Sequence, residues 1–233
     1  MELLTIDYHH NEQSKYTRIG YYLTILAVFI QGYLWIMHFQ DTDSYSQSFS
    51  YIAFWEFLFA LVGFLMLDPI NHRGFYLKKR AYTPLSGMLL IRIVIILVGM
   101  AIIQFGVQFL PLTVKDPEIA LAIIFAGPSE ENFFRGILIS VVILVFSNVG
   151  FKFKVFKKEL SIWVIFGIIL SSIAFAGIHV NYYNNIAYLL GTFLCGLWLG
   201  FTYWYWEDLT ANIMAHFLLN FIVVFRTFFL VQF

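Results

Sequence analysis

The stretch IALAIIFAGPSEENFFRGILISVVILVF, residues 119–146, decides the fold. It is apolar for longer than the ~20 residues a helix needs to cross a bilayer. Yet Glu130, Glu131 and Arg135 stand near its middle. Each charge at the centre of a spanning helix costs about 2.5–3.5 kcal/mol on insertion scales. Three together reach about 8–10 kcal/mol, comparable to the net stability of a small domain, so partners or water must offset them. Charges so placed mark chemistry, transport or a structural ion pair.

The segment is too long for one simple crossing, and Gly127-Pro128-Ser129 is expected to break or kink it. Ser129 would then cap a new helix and place both glutamates in its first turn, where the dipole favours carboxylates. Glu131 and Arg135 are four apart, share a helical face and can pair. Glu130 is rotated about 100° away, free to act as a general base. The plainer alternative is an ion pair that locks two helices.

The rest of the chain fits the same solvent. Of 233 residues, 61% are hydrophobic, 20% aromatic and 12% charged, against about 25% charged in a soluble domain. Recurrent apolar runs predict an all-α, polytopic membrane helix bundle of about seven spans, within about six to eight. The spans cover residues 18–39, 51–67, 85–110, 119–146, 160–180, 185–206 and 209 to the C-terminus. One membrane-embedded domain over residues 1–233 is expected, without repeats or linkers. The first apolar run is too long for a signal peptide, so no cleaved leader is expected. The lone Cys195 cannot form an intramolecular disulfide and reads as a small buried hydrophobe.

Basic residues sort to one side of the seven-span arrangement. Lys15 and Arg18 lie there, with Arg73, Lys78, Lys79 and Arg80, and with Lys152, Lys154, Lys157 and Lys158; only Lys115 falls opposite. This predicts a cytoplasmic N-terminus and an external C-terminus, the membrane being expected to be the plasma membrane. The segment FKFKVFKK, residues 151–158, alternates apolar and basic residues and reads as a solvated inside loop, with a place at the lipid headgroups as the alternative. Glu56, Arg92 and Arg226 lie near the ends of their spans and are expected to snorkel. His9, His10, His38 and His72 are expected to be solvated.

Two histidines lie within spans instead. His179 closes Phe175-Ala-Gly-Ile-His179, and His216 opens His216-Phe-Leu-Leu-Asn220, which places His216 and Asn220 on one helical face. A lone histidine in an apolar helix is more often an interhelical hydrogen-bonder than a ligand. Three polar clusters in one small bundle shift that balance, because each needs a partner and the nearest are one another.

Glu130-Glu131-x-x-x-Arg135, Phe175-x-x-x-His179 and His216-x-x-x-Asn220 resemble, in order, the three motifs of the CPBP family, also called Abi. That family comprises CAAX prenyl endopeptidases and bacteriocin-processing or bacteriocin-immunity proteins. The resemblance covers roughly residues 119–221; the first three spans show only generic hydrophobicity. It implies an intramembrane endopeptidase in which Glu130 activates a water with help from His179. Arg135 would hold Glu131, while His216 and Asn220 stabilise the oxyanion. The implied partners are the bilayer and a peptide substrate, either a prenylated tail or a leader peptide; no nucleic acid is expected. One departure is the long basic connection between Glu130 and His179, and helix counting puts His179 deeper than His216.

Within the resemblance, the metal stays open. Glu130, His179 and His216 could make a three-ligand zinc site with an open position for water, or could work without metal. HExxH is absent, so any metal would draw its ligands from three helices. Other intramembrane proteases fit poorly: there is no GxSG-type serine motif, and no aspartate is expected deep in a span. The alternatives are a non-catalytic immunity or scaffold protein and a small transporter. A transporter calls for broken helices in two matching halves, and Pro128 marks only one break.

Overall fold

The computed structural model describes residues 19–39, 44–72, 86–106, 116–146, 151–155, 158–180 and 185–229. The expectations for Lys15, Arg18, Arg73, Lys78, Lys79, Arg80, Lys115, Lys157, His9, His10 and the side chain of His72 lie outside these residues. The helices are α1 (Ile19–His38), α2 (Ser44–His72), α3 (Gly87–Gly106), α4 (Pro117–Glu130), a π-helical segment (Glu131–Ile139) and α5 (Ser140–Phe146). After two short strands, β1 (Lys152–Val155) and β2 (Lys158–Ser161), come α6 (Ile162–Ile178), α7 (Ile186–Trp206) and α8 (Leu209–Phe229). Because α4, the π segment and α5 run on without a gap, the described residues form seven helical rods, one for each expected span.

Four helical stretches, Ile19–His38, Gly87–Gly106, Ile186–Trp206 and Leu209–Arg226, are long and apolar enough to cross a membrane; shorter apolar helices cover Phe49–Leu65 and Ile162–Ile178. Burial agrees with a lipid solvent. Phe29 and Phe105 are 71% and 70% exposed, whereas Ala27, Ala53, Ala60, Ala211 and Ala215 are fully buried. Large side chains face outward and small ones line the contacts, because lipid gives no hydrophobic drive and helices associate by close approach. Gly196 and Gly200 on α7 show this: a Cβ there would lie 3.0 Å from Ser172 Cβ and 2.8 Å from Ile168 Cγ2 on α6.

Pro128 does not break the rod. Asp116 caps α4 by accepting from the Glu118 amide at 2.8 Å, with Pro117 in the first turn where its missing N–H costs nothing. Ser129 caps no new helix; its hydroxyl donates back to the Phe125 carbonyl at 3.1 Å. Instead the backbone widens into the π segment directly after the glutamate pair begins. Side-chain amides cover carbonyls around this irregularity. Gln31 donates to Ala122 O at 2.8 Å, Asn220 to Ile123 O at 2.8 Å, and Asn132 to Pro128 O at 2.6 Å. Neighbouring side chains of this kind are what make an internal proline tolerable in lipid.

The basic connection is a hairpin rather than a loop. Residues Lys152–Val155 pair antiparallel with Lys158–Ser161, as a period of two dictates for a strand. Lys158 then donates to the Glu207 carboxylate at 2.7 Å and to the Trp204 carbonyl at 3.3 Å. It thereby ties the hairpin to the tight turn between α7 and α8. In that turn Glu207 takes a left-handed conformation, φ 52°, and Asp208 caps α8 through the Ala211 amide at 3.2 Å.

The turn lies inside the bundle. Asp208, Leu209, Thr210, Ala211 and Asn212 have no exposed surface. Counting residues from an assumed membrane boundary therefore misjudged the depth of His216. Arg92 on α3 does not snorkel; it donates to buried Asp208 at 2.7 Å. His38 is likewise not solvated, since its Nε2 meets Glu118 at 2.5 Å. Cys195 is buried, as expected.

Candidate active site

The π segment sets two carboxylates side by side with different neighbours. A π turn carries one extra residue, and such turns are found mainly at functional sites. Glu131, fully buried, is bound on every side. Arg135 approaches its Oε1 at 3.2 Å, the expected i,i+4 pair. His216 Nδ1 meets the same oxygen at 2.9 Å, and the Asn212 amide reaches Oε2 at 3.4 Å. The Arg135 guanidinium also lies 4.4 Å from the centre of the Phe175 ring, a cation–π contact that offsets part of its desolvation.

Glu130 has looser company. His179 Nε2 lies 3.6 Å from one of its oxygens and His216 Nε2 lies 3.6 Å from the other. These separations are longer than hydrogen bonds and are of the kind a single water bridges. The tautomers follow from the far side of each ring. His179 Nδ1 is 2.8 Å from the Phe175 carbonyl and His216 Nδ1 is 2.9 Å from Glu131. Both partners only accept, so both Nδ1 atoms carry hydrogen. In the neutral rings Nε2 is then a lone pair turned on Glu130.

Close packing aims these groups. Gly127 lets α8 touch α4 at the histidine: a Cβ there would lie 3.0 Å from Phe217 N and 3.2 Å from His216 Cγ. Phe175 sits between the parts, its ring 5.0 Å from that of His179 and 5.9 Å from that of His216.

The structure thus gathers Glu130, Glu131, Arg135, His179 and His216 at one buried point. Asn220 follows one turn after His216 on α8, with an amide hydrogen on Ile123 O. Two participants escaped the sequence reading. Asn212 is four residues before His216 and so on its face, which is a signal that spacing carried. Glu56 does not snorkel; it is 6% exposed and faces Glu130 and Ser129. The misjudgement came from the start of α2, which begins at Ser44 rather than Tyr51 and so carries Glu56 deep into the bundle.

Among the described residues no three His, Cys, Asp or Glu are arranged to hold a metal ion. Asp208 is buried but paired with Arg92 rather than with a second aspartate.

The chain is thus an all-α membrane bundle with paired buried glutamates at a helix irregularity, faced by one buried and one part-buried imidazole. Residues 117–222 match the family model of the Rce1-like type II CAAX prenyl endopeptidases. This is the stretch whose three motifs resemble the CPBP family, and it spans α4 to most of α8. No curated protein and no solved structure matches the chain.

Proposed function

We propose that this protein is an intramembrane endopeptidase that hydrolyses a peptide bond with a water activated by Glu130, without a resident metal. The observation that carries the reading is the pair of imidazoles, each fixed through Nδ1 and turned through Nε2 on a separate oxygen of Glu130. A water held there gives one proton to Glu130 as its oxygen attacks the scissile carbonyl carbon. His179 orients that water. The oxyanion is met by the second Asn220 amide hydrogen, on the face of α8 that also carries His216. The protonated Glu130 then passes its proton to the leaving amine, which closes the cycle.

We take the substrate to be a prenylated tail or a leader peptide that enters from the bilayer of the plasma membrane, with the N-terminus of the enzyme in the cytoplasm. The test is direct. Purified protein in liposomes is given a panel of prenylated and leader peptides. Wild type cleaves at least one, Glu130→Gln and His179→Ala do not, and a chelator leaves the rate unchanged. Cleavage abolished by the chelator and restored by zinc would overturn the metal-free mechanism. A fully uncut panel would favour an immunity or scaffold role, and charge movement dependent on Glu130 would favour transport.

A further inference from the structure

We propose that Glu56 on α2 is a positioning residue of this site, holding the Glu130 carboxylate in place by direct carboxyl-to-carboxyl contact. The inference rests on the peptidase reading above. Its geometry comes from the face that α2 turns to the π segment. Glu56, Phe59, Ala60 and Gly63 recur at helical spacing along that face. Phe59 stacks on Phe133 at 4.5 Å, Ala60 is fully buried, and a Cβ on Gly63 would come within 2.5 Å of Asn132 Cβ. A helix pressed so closely on the π segment has no freedom to turn Glu56 away.

The carboxyl itself is the second observation. It is buried and faces Glu130 and Ser129, while its Oε2 has no hydrogen-bond partner among the described residues. Two other buried carboxylates have an opposite charge beside them: Glu131 has Arg135, and Asp208 has Arg92. Glu56 has a carboxylate and a hydroxyl instead. Two acids in direct hydrogen-bond contact share one proton, so the Glu56 carboxyl donates to Glu130 and fixes its orientation. Glu56 is unchanged by the reaction, since the proton abstracted from water travels through Glu130 alone.

A packing role predicts that an apolar side chain of similar size serves as well. A positioning role predicts that it does not. With wild type cleaving and Glu130→Gln silent, Glu56→Leu should lose about 10²-fold in kcat, the scale of a misplaced reactant. KM should stay within about twofold, since the substrate contacts are not touched. Glu56→Gln keeps a hydrogen-bond donor at the same place and should recover at least about tenfold of that loss. Thermal melting tests the contact without any substrate: the shifts from Glu56→Gln and Glu130→Gln should not add in the double variant. Wild-type kcat in Glu56→Leu, or additive melting shifts, would overturn the inference. An uncut peptide panel with coupled melting would instead strike the peptidase reading and leave the contact standing.

Discussion

Glu130 and Glu131 are neighbours in sequence, yet one face of the π segment is saturated and the other is poised. On the Glu131 face an arginine, an imidazole and an amide close on the carboxylate at 3.2, 2.9 and 3.4 Å. On the Glu130 face the nearest ring nitrogens stand off at 3.6 Å. In the first arrangement both oxygens of Glu131 are occupied, and its groups hold helices together. The second has lone pairs directed at a common space. A buried charge that is fully paired is a structural device, whereas one held just out of contact can take a reactant.

Exchanging the roles of the two faces is the sharpest way to break this contrast. Glu130→Gln should lower kcat by about 10³–10⁴-fold, the upper range for a general base, with the protein still folded in detergent. A cleaving Glu130→Gln enzyme would remove the distinction. On the other face, Arg135→Met leaves Glu131 buried without its cation and should cost about 3–5 kcal/mol of stability. The yield of folded protein and its melting temperature would show this before any assay of activity.

The histidines should divide along the same line. His179 meets Glu130, the Phe175 carbonyl and the Phe175 ring, so His179→Ala should lose turnover while melting within a few degrees of wild type. His216 serves both faces, so His216→Ala should lose turnover and stability together. Equal melting temperatures for the two variants would show that the Glu131 contact contributes nothing.

A smaller effect is expected at Gly127, which belongs to neither face but sets the distance of α8. Gly127→Val should cost about 1–3 kcal/mol by overpacking against His216 and Phe217, with kcat lowered as the imidazole is displaced. The smallest is Lys158→Ala on the hairpin. Its pair with Glu207 is partly exposed and is worth about 0.2–1 kcal/mol, read as a slight loss in melting temperature that salt should reduce further.

Much of the site was legible because helical spacing is a local property. Glu131 and Arg135 pair as their i,i+4 positions require, and Glu130 takes a separate environment. Asn212 was readable by the same rule, one turn before His216. Glu56 was not readable, since its depth depends on where α2 starts, and the serine-rich residues 44–50 give only a weak hydrophobic cue that they are helical. The hairpin was misread although its alternation was seen, because a loop of lysines and a pair of strands share one pattern until something docks them. Here Lys158 and Glu207 do so.

Composition alone determined that the chain is a helical membrane protein, since a surface so poor in charge has no stable solution in water. Sequence order alone placed an acid pair with its arginine in one span and two histidines in two others. Whether these met at one point was beyond it, because the register between rods is set by non-local contacts. Gly127 lets α8 close on α4, the π segment re-aims the glutamates, and a turn buried inside the bundle brings His216 to the level of His179. Each of these is a packing decision made between distant residues, and only the assembled structure carries it.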